Sequence, residues 1–290
     1  MIEAFMTLKF LQYALVAAIL IGFTAPLIGS FVVVRRMSLI ADALSHVTLA
    51  GIALSLLISG MVAQLADLNP LYLGIVTSVI AALTIDWLRA KYKHFQELAI
   101  PIIMATGMGL GATFISLANG FSMDLVSFLF GTVSAVALTD VYTILIVTVV
   151  VVIFVFAFYK ELLFLSFDEE QARVSGIRLR LVHILFMIVV ALVIAISMRI
   201  VGILLVSSLI TLPVAAALRI AKSFKTTIFL AIIFGEIATV LGLILAYQFD
   251  LAPGGMIVLL AVLELIIVML LERFWIGGGK THEDEHRTSA

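Results

Sequence analysis

The chain alternates long apolar stretches with short polar connections over almost its whole length. Most of the stretches approach the roughly 20 residues that an α-helix needs to cross a bilayer. They run over residues 11–34, 39–59, 71–88, 99–118, 140–158, 181–197, 200–218, 226–247 and 254–271. One more, at 125–138, is too short to span and is predicted to be re-entrant or to lie beside other helices. The pattern predicts an all-α bundle of eight or nine transmembrane helices.

One boundary in this pattern is unusually short. Only Met198 and Arg199 separate the stretches 181–197 and 200–218, and so small a gap predicts a tight helical hairpin.

Lys and Arg otherwise fall in alternate connections, which the positive-inside rule assigns to the cytoplasm. Arg199 is the exception on the outer side. Nine spans would leave the N-terminus outside and the C-terminus inside, whereas eight would move the N-terminus inside.

Composition places the chain in lipid. It is 64% hydrophobic and 12% charged over 290 residues, while a soluble domain is about one quarter charged. A transmembrane domain is therefore expected over 1–275, followed by a charged, disordered tail over 276–290. The net charge of −1 argues against nucleic-acid binding, and without cysteine there are no thiolate metal sites. The first stretch is too long for a cleaved signal peptide and is expected to be retained.

Two ionisable residues lie within the second apolar stretch. Asp42 and His46 are four residues apart, so on a helix they project from one face, about 6 Å apart along the axis. Ionisable side chains inside a membrane are costly and usually face a partner or a polar pathway. Oxygen and nitrogen donors together suit a divalent metal ion. The alternative is that the two residues pair with each other or cap a neighbouring helix.

Two other acids lie deep in apolar stretches. Glu236 is near the middle of 226–247, beside Gly235, where a neighbouring helix could approach closely. It is a candidate third metal ligand, or else a hydrogen-bonded structural residue. Glu264 lies equally deep in 254–271, where packing or a protonated acid is the simpler interpretation. Asp86, near Arg89 at an interface, is expected to be paired.

The longest cytoplasmic connection has the signals of a short helix. Asp168 suits the N-cap, Glu169 and Glu170 suit the first turn, and Gly176 can end the helix. It is predicted to be an amphipathic helix on the cytoplasmic face. Its role is either a simple connection or docking of a soluble partner.

Four segments in order resemble a known family. They are the run from Val34 to His46, Phe130-Gly131-Thr132, the run from Phe167 to Ala172 with Gly176, and Val201 to Val206 followed by Leu212 to Ala217. Together they resemble the zinc/manganese/iron permease family of ABC importers, over about residues 5–275. The resemblance implies a type II importer-like permease in the bacterial cytoplasmic membrane. It also implies a transport subunit that is not an enzyme, because a partner chain hydrolyses ATP.

The resemblance implies partners and roles as well. The permease would dimerise, bind two cytoplasmic ATPase subunits and receive its ion from an extracytoplasmic metal-binding protein. Asp42 and His46 match the positions that hold the metal in transit, and a symmetric pair of chains would supply four donors. The docking helix would use Asp168, Glu169, Ala172 and Gly176. No resident cofactor is expected. The transported ion would be Zn²⁺ or Mn²⁺, and Fe²⁺ is a less favoured alternative.

Two other functions fit parts of the sequence. One is a secondary carrier driven by an ion gradient, with Glu236 and Glu264 as proton relays. The other is an ABC permease for a chelated metal or a corrinoid, which would need a wide pathway. ATP binding by this chain is not expected: Gly277 to Thr281 imitates the end of a phosphate-binding loop, but the required first glycine falls at Phe274. The tail from His282 to His286 carries metal-capable groups, although such charged tails are usually solvated.

Overall fold

The computed structural model describes residues 7–61, 69–92, 94–118, 123–133, 136–167 and 179–276. These residues form eleven α-helices and one short 3₁₀ turn, Gln96–Leu98, with no strand. The helices are α1 Lys9–Val34, α2 Leu39–Met61, α3 Pro70–Lys91, α4 Ala99–Leu117, α5 Met123–Phe130, α6 Leu138–Ala157, α7 Tyr159–Phe167, α8 Leu179–Val201, α9 Val206–Ile220, α10 Phe224–Phe249 and α11 Pro253–Ile276.

Eight helices of the described part are long and apolar enough to cross a membrane. They are α1, α2, α3, α4 with the preceding 3₁₀ turn, α6, α8, α10 and α11. Helices dominate because a chain in lipid must satisfy its backbone hydrogen bonds internally. The prediction of an all-α, multi-pass membrane protein is confirmed. The predicted short segment is also confirmed, because α5 has only 8 residues.

The predicted hairpin at Met198-Arg199 is wrong. Helix α8 continues through both residues to Val201, and the chain turns at Gly202–Leu205 instead. Gly202 adopts φ 81°, a left-handed conformation that glycine enters without steric cost. Arg199 stays helical because its Nε lies 2.9 Å from the Asp140 carboxylate. The ion pair with Asp140 of α6 thus gives the Arg199 guanidinium the polar partner that water would provide at an exposed helix end.

The short helix α9 returns the chain to the cytoplasmic side. At its start, a β-carbon on Gly254 of α11 would lie 2.9 Å from the Leu205 side chain. At its end, Arg219 of α9 pairs with Glu272 of α11 at 3.6 Å. The two helices are therefore parallel and descend together. With 15 residues, α9 is about 22 Å long, shorter than the roughly 30 Å hydrocarbon core. If α9 is counted as a pass, the described helices make nine, for which the positive-inside rule predicts an outer N-terminus.

Helices α1 and α8 form the centre of the bundle. In their most apolar windows, 72% and 67% of the residues are buried, compared with 22% for α11. Helix α2 packs on α3 and α4, and it also contacts α8 and α9. Its two candidate ligands thus stand on a helix that is supported from one side by the rest of the chain.

Candidate metal pathway

Asp42 and His46 lie on a partly open stripe of α2. Both side chains are half-buried, and Leu39, one turn before Asp42, is 62% exposed. The opposite side of the helix is closed, since Ala43 and Leu44 are fully buried. The prediction that one face of α2 carries both groups is therefore matched by the observed burial. In one copy of the chain this face is not enclosed.

The backbone at His46 is held in place by two neighbouring helices. A β-carbon at Gly107 of α4 would lie 2.8 Å from Val47 N and 3.0 Å from the His46 carbonyl carbon. Helix α4 can approach this closely only because residue 107 has no side chain. From α3, the Thr77 hydroxyl lies 3.4 Å from the Val47 carbonyl oxygen, to which it donates. These contacts hold the α2 backbone close to α3 and α4 beside the candidate ligand His46.

Among the residues that the structure describes, Asp42 and His46 make no hydrogen bond or ion pair, either with each other or with a neighbour. Within the described ranges, the two residues therefore neither pair with each other nor cap a neighbouring helix. A carboxylate and an imidazole on an open stripe can together bind a divalent ion, since they offer oxygen and nitrogen donors.

The third predicted ligand lies elsewhere in the bundle. Glu236 is half-buried on α10, where Gly235 packs against Gly22 and Pro26 of α1. Helix α10 contacts α1, α9 and α11, and it does not contact α2. Within the described ranges, no group of three or more His, Asp and Glu side chains gathers as a metal site. The role of Glu236 as a ligand stays a prediction.

Glu264 is the other acid inside the bundle. Both of its carboxyl oxygens are buried, and neither has a hydrogen-bond partner in the described part of the chain. It shares a buried stripe of α11 with Ile257 and Ala261. The interpretation of Glu264 as a packed, protonated acid stays a prediction.

The sequence alone did not reveal a polar cluster on the outer side. The Asp140 side chain is completely buried and accepts from Asn69 Nδ2 at 2.7 Å, Ala137 N at 3.0 Å and Arg199 Nε at 2.9 Å. The Arg199 guanidinium also stacks 4.9 Å from the centre of the Phe128 ring. The cluster joins the start of α3, the end of α5, the start of α6 and the end of α8. In the sequence, the one indication of this cluster was Arg199, a positive charge on the side that the positive-inside rule assigns to the exterior.

Two of the motifs that carry the family resemblance meet beside this cluster. Gly131 and Gly202 have φ values of 75° and 81°, and their backbones cross so closely that neither has room for a β-carbon. Ile203 N donates to the carbonyl oxygen of Phe128 at 2.9 Å. The end of α5 and the turn before α9 are thus one structural unit. Nothing in either motif alone indicates this contact.

Asp86, which was predicted to be paired, contacts His183 of α8. His183 Nε2 lies 3.0 Å from Asp86 Oδ1, and His183 Nδ1 lies 2.9 Å from Arg35 Nη2. An imidazole that accepts a hydrogen bond from an arginine and donates one to a carboxylate is a neutral tautomer.

The predicted docking residues Asp168, Glu169, Ala172 and Gly176 lie outside the described residues, as does the tail at 277–290.

Comparisons with known proteins agree over nearly the whole chain. Residues 7–272 match the ABC 3 transport family. The manganese transport system membrane protein MntC of Listeria monocytogenes is 34% identical over 270 residues, covering 93% of each chain. The manganese import system permease protein ScaB of Streptococcus gordonii is 35% identical, covering 89% of this chain and 90% of its own. A solved structure, PsaBC from Streptococcus pneumoniae in complex with Fab, superposes with a TM-score of 0.80 at 35% identity, covering 92% of this chain and 93% of that one. The resemblance found in the sequence is confirmed, and the chain belongs to the ABC 3 transport family.

Proposed function

We propose that the chain is the membrane permease subunit of an ABC importer that carries a divalent transition metal ion into the cytoplasm. The observation that carries this proposal is the pair Asp42 and His46. They lie one turn apart on a helix inside the membrane, on its open stripe, and make no bond to the described residues. Ionisable groups at this depth mark ion pathways. Relatives that match over most of the chain are named as metal permeases.

The donor set favours a hard or borderline ion. One carboxylate and one imidazole, with no cysteine in the chain, suit Mn²⁺ or Zn²⁺ and disfavour Cu⁺. The names of the two relatives support Mn²⁺ as the first cargo. Zn²⁺ is the second, because imidazole is one of its preferred ligands. No cofactor would remain bound, since a transit site has to release its ion.

A second copy of the chain would complete the site. Two ligands from each copy give the four donors of a tetrahedral site, and a two-fold axis beside α2 would bring the two open stripes together. Glu236 is the candidate further ligand of each chain, and because α10 does not contact α2 within one copy, it would lie outside the four-donor set of Asp42 and His46.

Energy would come from separate subunits. We infer that two cytoplasmic ATPases bind the segment from Asp168 to Gly176, whose flanking helices α7 and α8 end and begin on the cytoplasmic side. ATP binding and hydrolysis there would drive alternating access, and an extracytoplasmic protein would deliver the ion. A copurification test uses Ala172→Glu. Loss of the ATPase from an intact permease supports docking at this segment, and an unchanged complex contradicts it.

Reconstituted vesicles test the transport function. Permease and ATPase are incorporated together, and uptake of free Mn²⁺ is measured with and without ATP and against a chelated form of the ion. Asp42→Ala and His46→Ala are expected to abolish uptake without reducing assembly. Glu97→Ala and His94→Ala are the matched controls, because both residues are exposed, His94 before the α4 span and Glu97 in its first turn.

Each competing function gives a different result in this assay. Uptake that follows an ion gradient and ignores ATP identifies a secondary carrier, in which Glu236 and Glu264 would relay protons. Preference for the chelate identifies a chelated-metal or corrinoid permease. Normal uptake in both Asp42→Ala and His46→Ala removes the assigned site under every one of these functions.

A further inference from the structure

A basic cavity opens on the cytoplasmic side of the bundle. Its volume is about 1160 Å³, and it lies between the α1–α2 turn, the end of α3, the end of α7 and the start of α8. Four arginines line it, against one carboxylate, Asp86. The arginines are Arg35, Arg36, Arg89 and Arg180. Neither Asp42 nor His46 lines this cavity.

The charge balance of the cavity favours an anion. Asp86 is occupied by His183, which is itself neutral because its other nitrogen faces Arg35. Arg35 and Arg89 already have partners inside the protein. Arg36 and Arg180 are exposed, and in the described part of the chain they make no hydrogen bond or ion pair. Two such guanidinium groups on one cavity wall match a phosphate group, which arginine binds with paired hydrogen bonds.

The backbone brings consecutive arginines to the same cavity. Arg36 has φ 55°, an uncommon conformation for a residue with a β-carbon. In a regular helix, Arg35 and Arg36 would point about 100° apart. With Arg36 left-handed at the end of α1, both side chains line the cavity wall. This left-handed residue closes the C-terminal cap of α1, in which Arg36 N donates to Val33 O at 2.9 Å and Met37 N donates to Val32 O at 3.0 Å.

The rim of the cavity lies where a lipid headgroup would be. Trp87 lines it and is 59% exposed, and the Lys91 ammonium lies 5.8 Å from its ring centre. Tyr92 and Phe95, in the following connection, are also exposed. Exposed aromatic side chains beside basic ones are typical of the membrane interface, and basic pockets between helices on this side bind anionic headgroups.

We propose that this cavity binds the phosphate group of an anionic phospholipid from the cytoplasmic leaflet. Arg36 and Arg180 contact the phosphate, and Trp87 packs against the glycerol and upper acyl region. The proposal does not depend on which ion crosses the membrane or on how the transporter is powered. A free phosphate ion has the same recognition chemistry, so the experiment must separate the two sources.

A tryptophan titration tests the site directly. The chain has two tryptophans, so Trp275→Phe leaves Trp87 as the only reporter at the rim. The full-length protein in neutral detergent is titrated with short-chain phosphatidylglycerol, with phosphatidylcholine and with inorganic phosphate. We expect saturable binding of phosphatidylglycerol alone. Each arginine near an anionic lipid contributes about fivefold in affinity, so Arg36→Gln with Arg180→Gln is expected to weaken binding about 25-fold.

The controls separate the possible outcomes. Arg273→Gln, which removes an exposed arginine outside the cavity, should change the affinity less than twofold. Equal binding of phosphatidylcholine, or unchanged binding in the double variant, overturns the site. Binding of inorganic phosphate as tight as that of the lipid overturns the lipid assignment and leaves a phosphate site. If the double variant does not fold, the wild type still decides, because lipid binding that 0.5 M KCl does not weaken contradicts a phosphate–arginine contact.

Discussion

The ion pair between Asp140 and Arg199 is expected to be among the largest single contributions to stability in this chain. Asp140 Oδ2 lies 2.9 Å from Arg199 Nε. The Asp140 side chain is 0% exposed and that of Arg199 is 17% exposed. Removing one partner of such a pair leaves the other charge without compensation, which costs about 3–5 kcal/mol. Asp140→Leu also leaves the Asn69 amide without its acceptor, a further loss of about 1–3 kcal/mol if that amide cannot reach water.

A double-mutant cycle separates the pair from its surroundings. Arg199→Met with Asp140→Leu replaces both charges by apolar groups, which is often nearly neutral for buried pairs. We therefore expect Asp140→Leu to cost at least 3 kcal/mol and the double variant to recover about 2 kcal/mol or more. Unfolding by SDS of the detergent-purified protein, followed by circular dichroism at 222 nm, measures each free energy.

The chain contains its own control for this cycle. Arg219 and Glu272 form a pair at 3.6 Å with side chains 49% and 28% exposed, and exposed pairs contribute about 1 kcal/mol or less. Glu272→Gln should therefore shift unfolding only slightly. A cost below 1 kcal/mol for Asp140→Leu, or additive effects in the double variant, would refute the assignment of this pair as a structural joint.

Three further predictions concern close contacts and the third ligand. Gly107→Ala should lower metal uptake and destabilise the protein by about 1–3 kcal/mol, because the added methyl group overpacks against Val47. The control is Gly109→Ala, whose β-carbon would meet nothing within 4 Å and which should leave uptake unchanged. Equal effects of the two substitutions would contradict the contact. Gly202→Ala should reduce folded protein in SDS titration, because φ 81° and the crossing with Gly131 both exclude a side chain, whereas Gly255→Ala, in open space, should not. Glu236→Gln should lower vesicle uptake of Mn²⁺, though less than Asp42→Ala; full uptake would assign Glu236 to packing against α1.

The spans were predictable because their signal is local. Length and apolar content decide whether a segment can cross the bilayer, and these need no knowledge of neighbours. The predicted stretches 39–59 and 226–247 accordingly correspond to α2 and α10 with ends a few residues away. The error at Met198-Arg199 arose from the same rule. A charged residue was taken as a boundary, and only the distant Asp140 could show that Arg199 belongs inside a helix.

The hydrogen bonds and ion pairs between helices were not predictable because the residues that form them are far apart in sequence. Asp86 was expected to be paired at the interface near Arg89, and it is paired, but its partner His183 lies far away in sequence on α8. Asp140 begins α6, where an acid at a helix N-terminus is ordinary, so nothing marked it as the centre of a cluster. The stripe with Asp42 and His46 was visible in the sequence because both residues lie on one helix.

Helices α3 and α8 are joined at three heights, and this distinguishes them from α2. On the outer side, Asn69 and Arg199 meet at Asp140. Near the middle, the Ser78 hydroxyl donates to the Ala191 carbonyl oxygen at 3.3 Å, and on the cytoplasmic side Asp86 meets His183. Helix α2 approaches α3 and α4 closely at Gly51, Gly74 and Gly107, and the Thr77 hydroxyl donates to the Val47 carbonyl oxygen at 3.4 Å. Polar joints resist sliding more than contacts between small apolar surfaces do. Under the proposed function, we therefore expect α2, which carries the candidate ligands, to shift against the frame of α3 and α8 during alternating access.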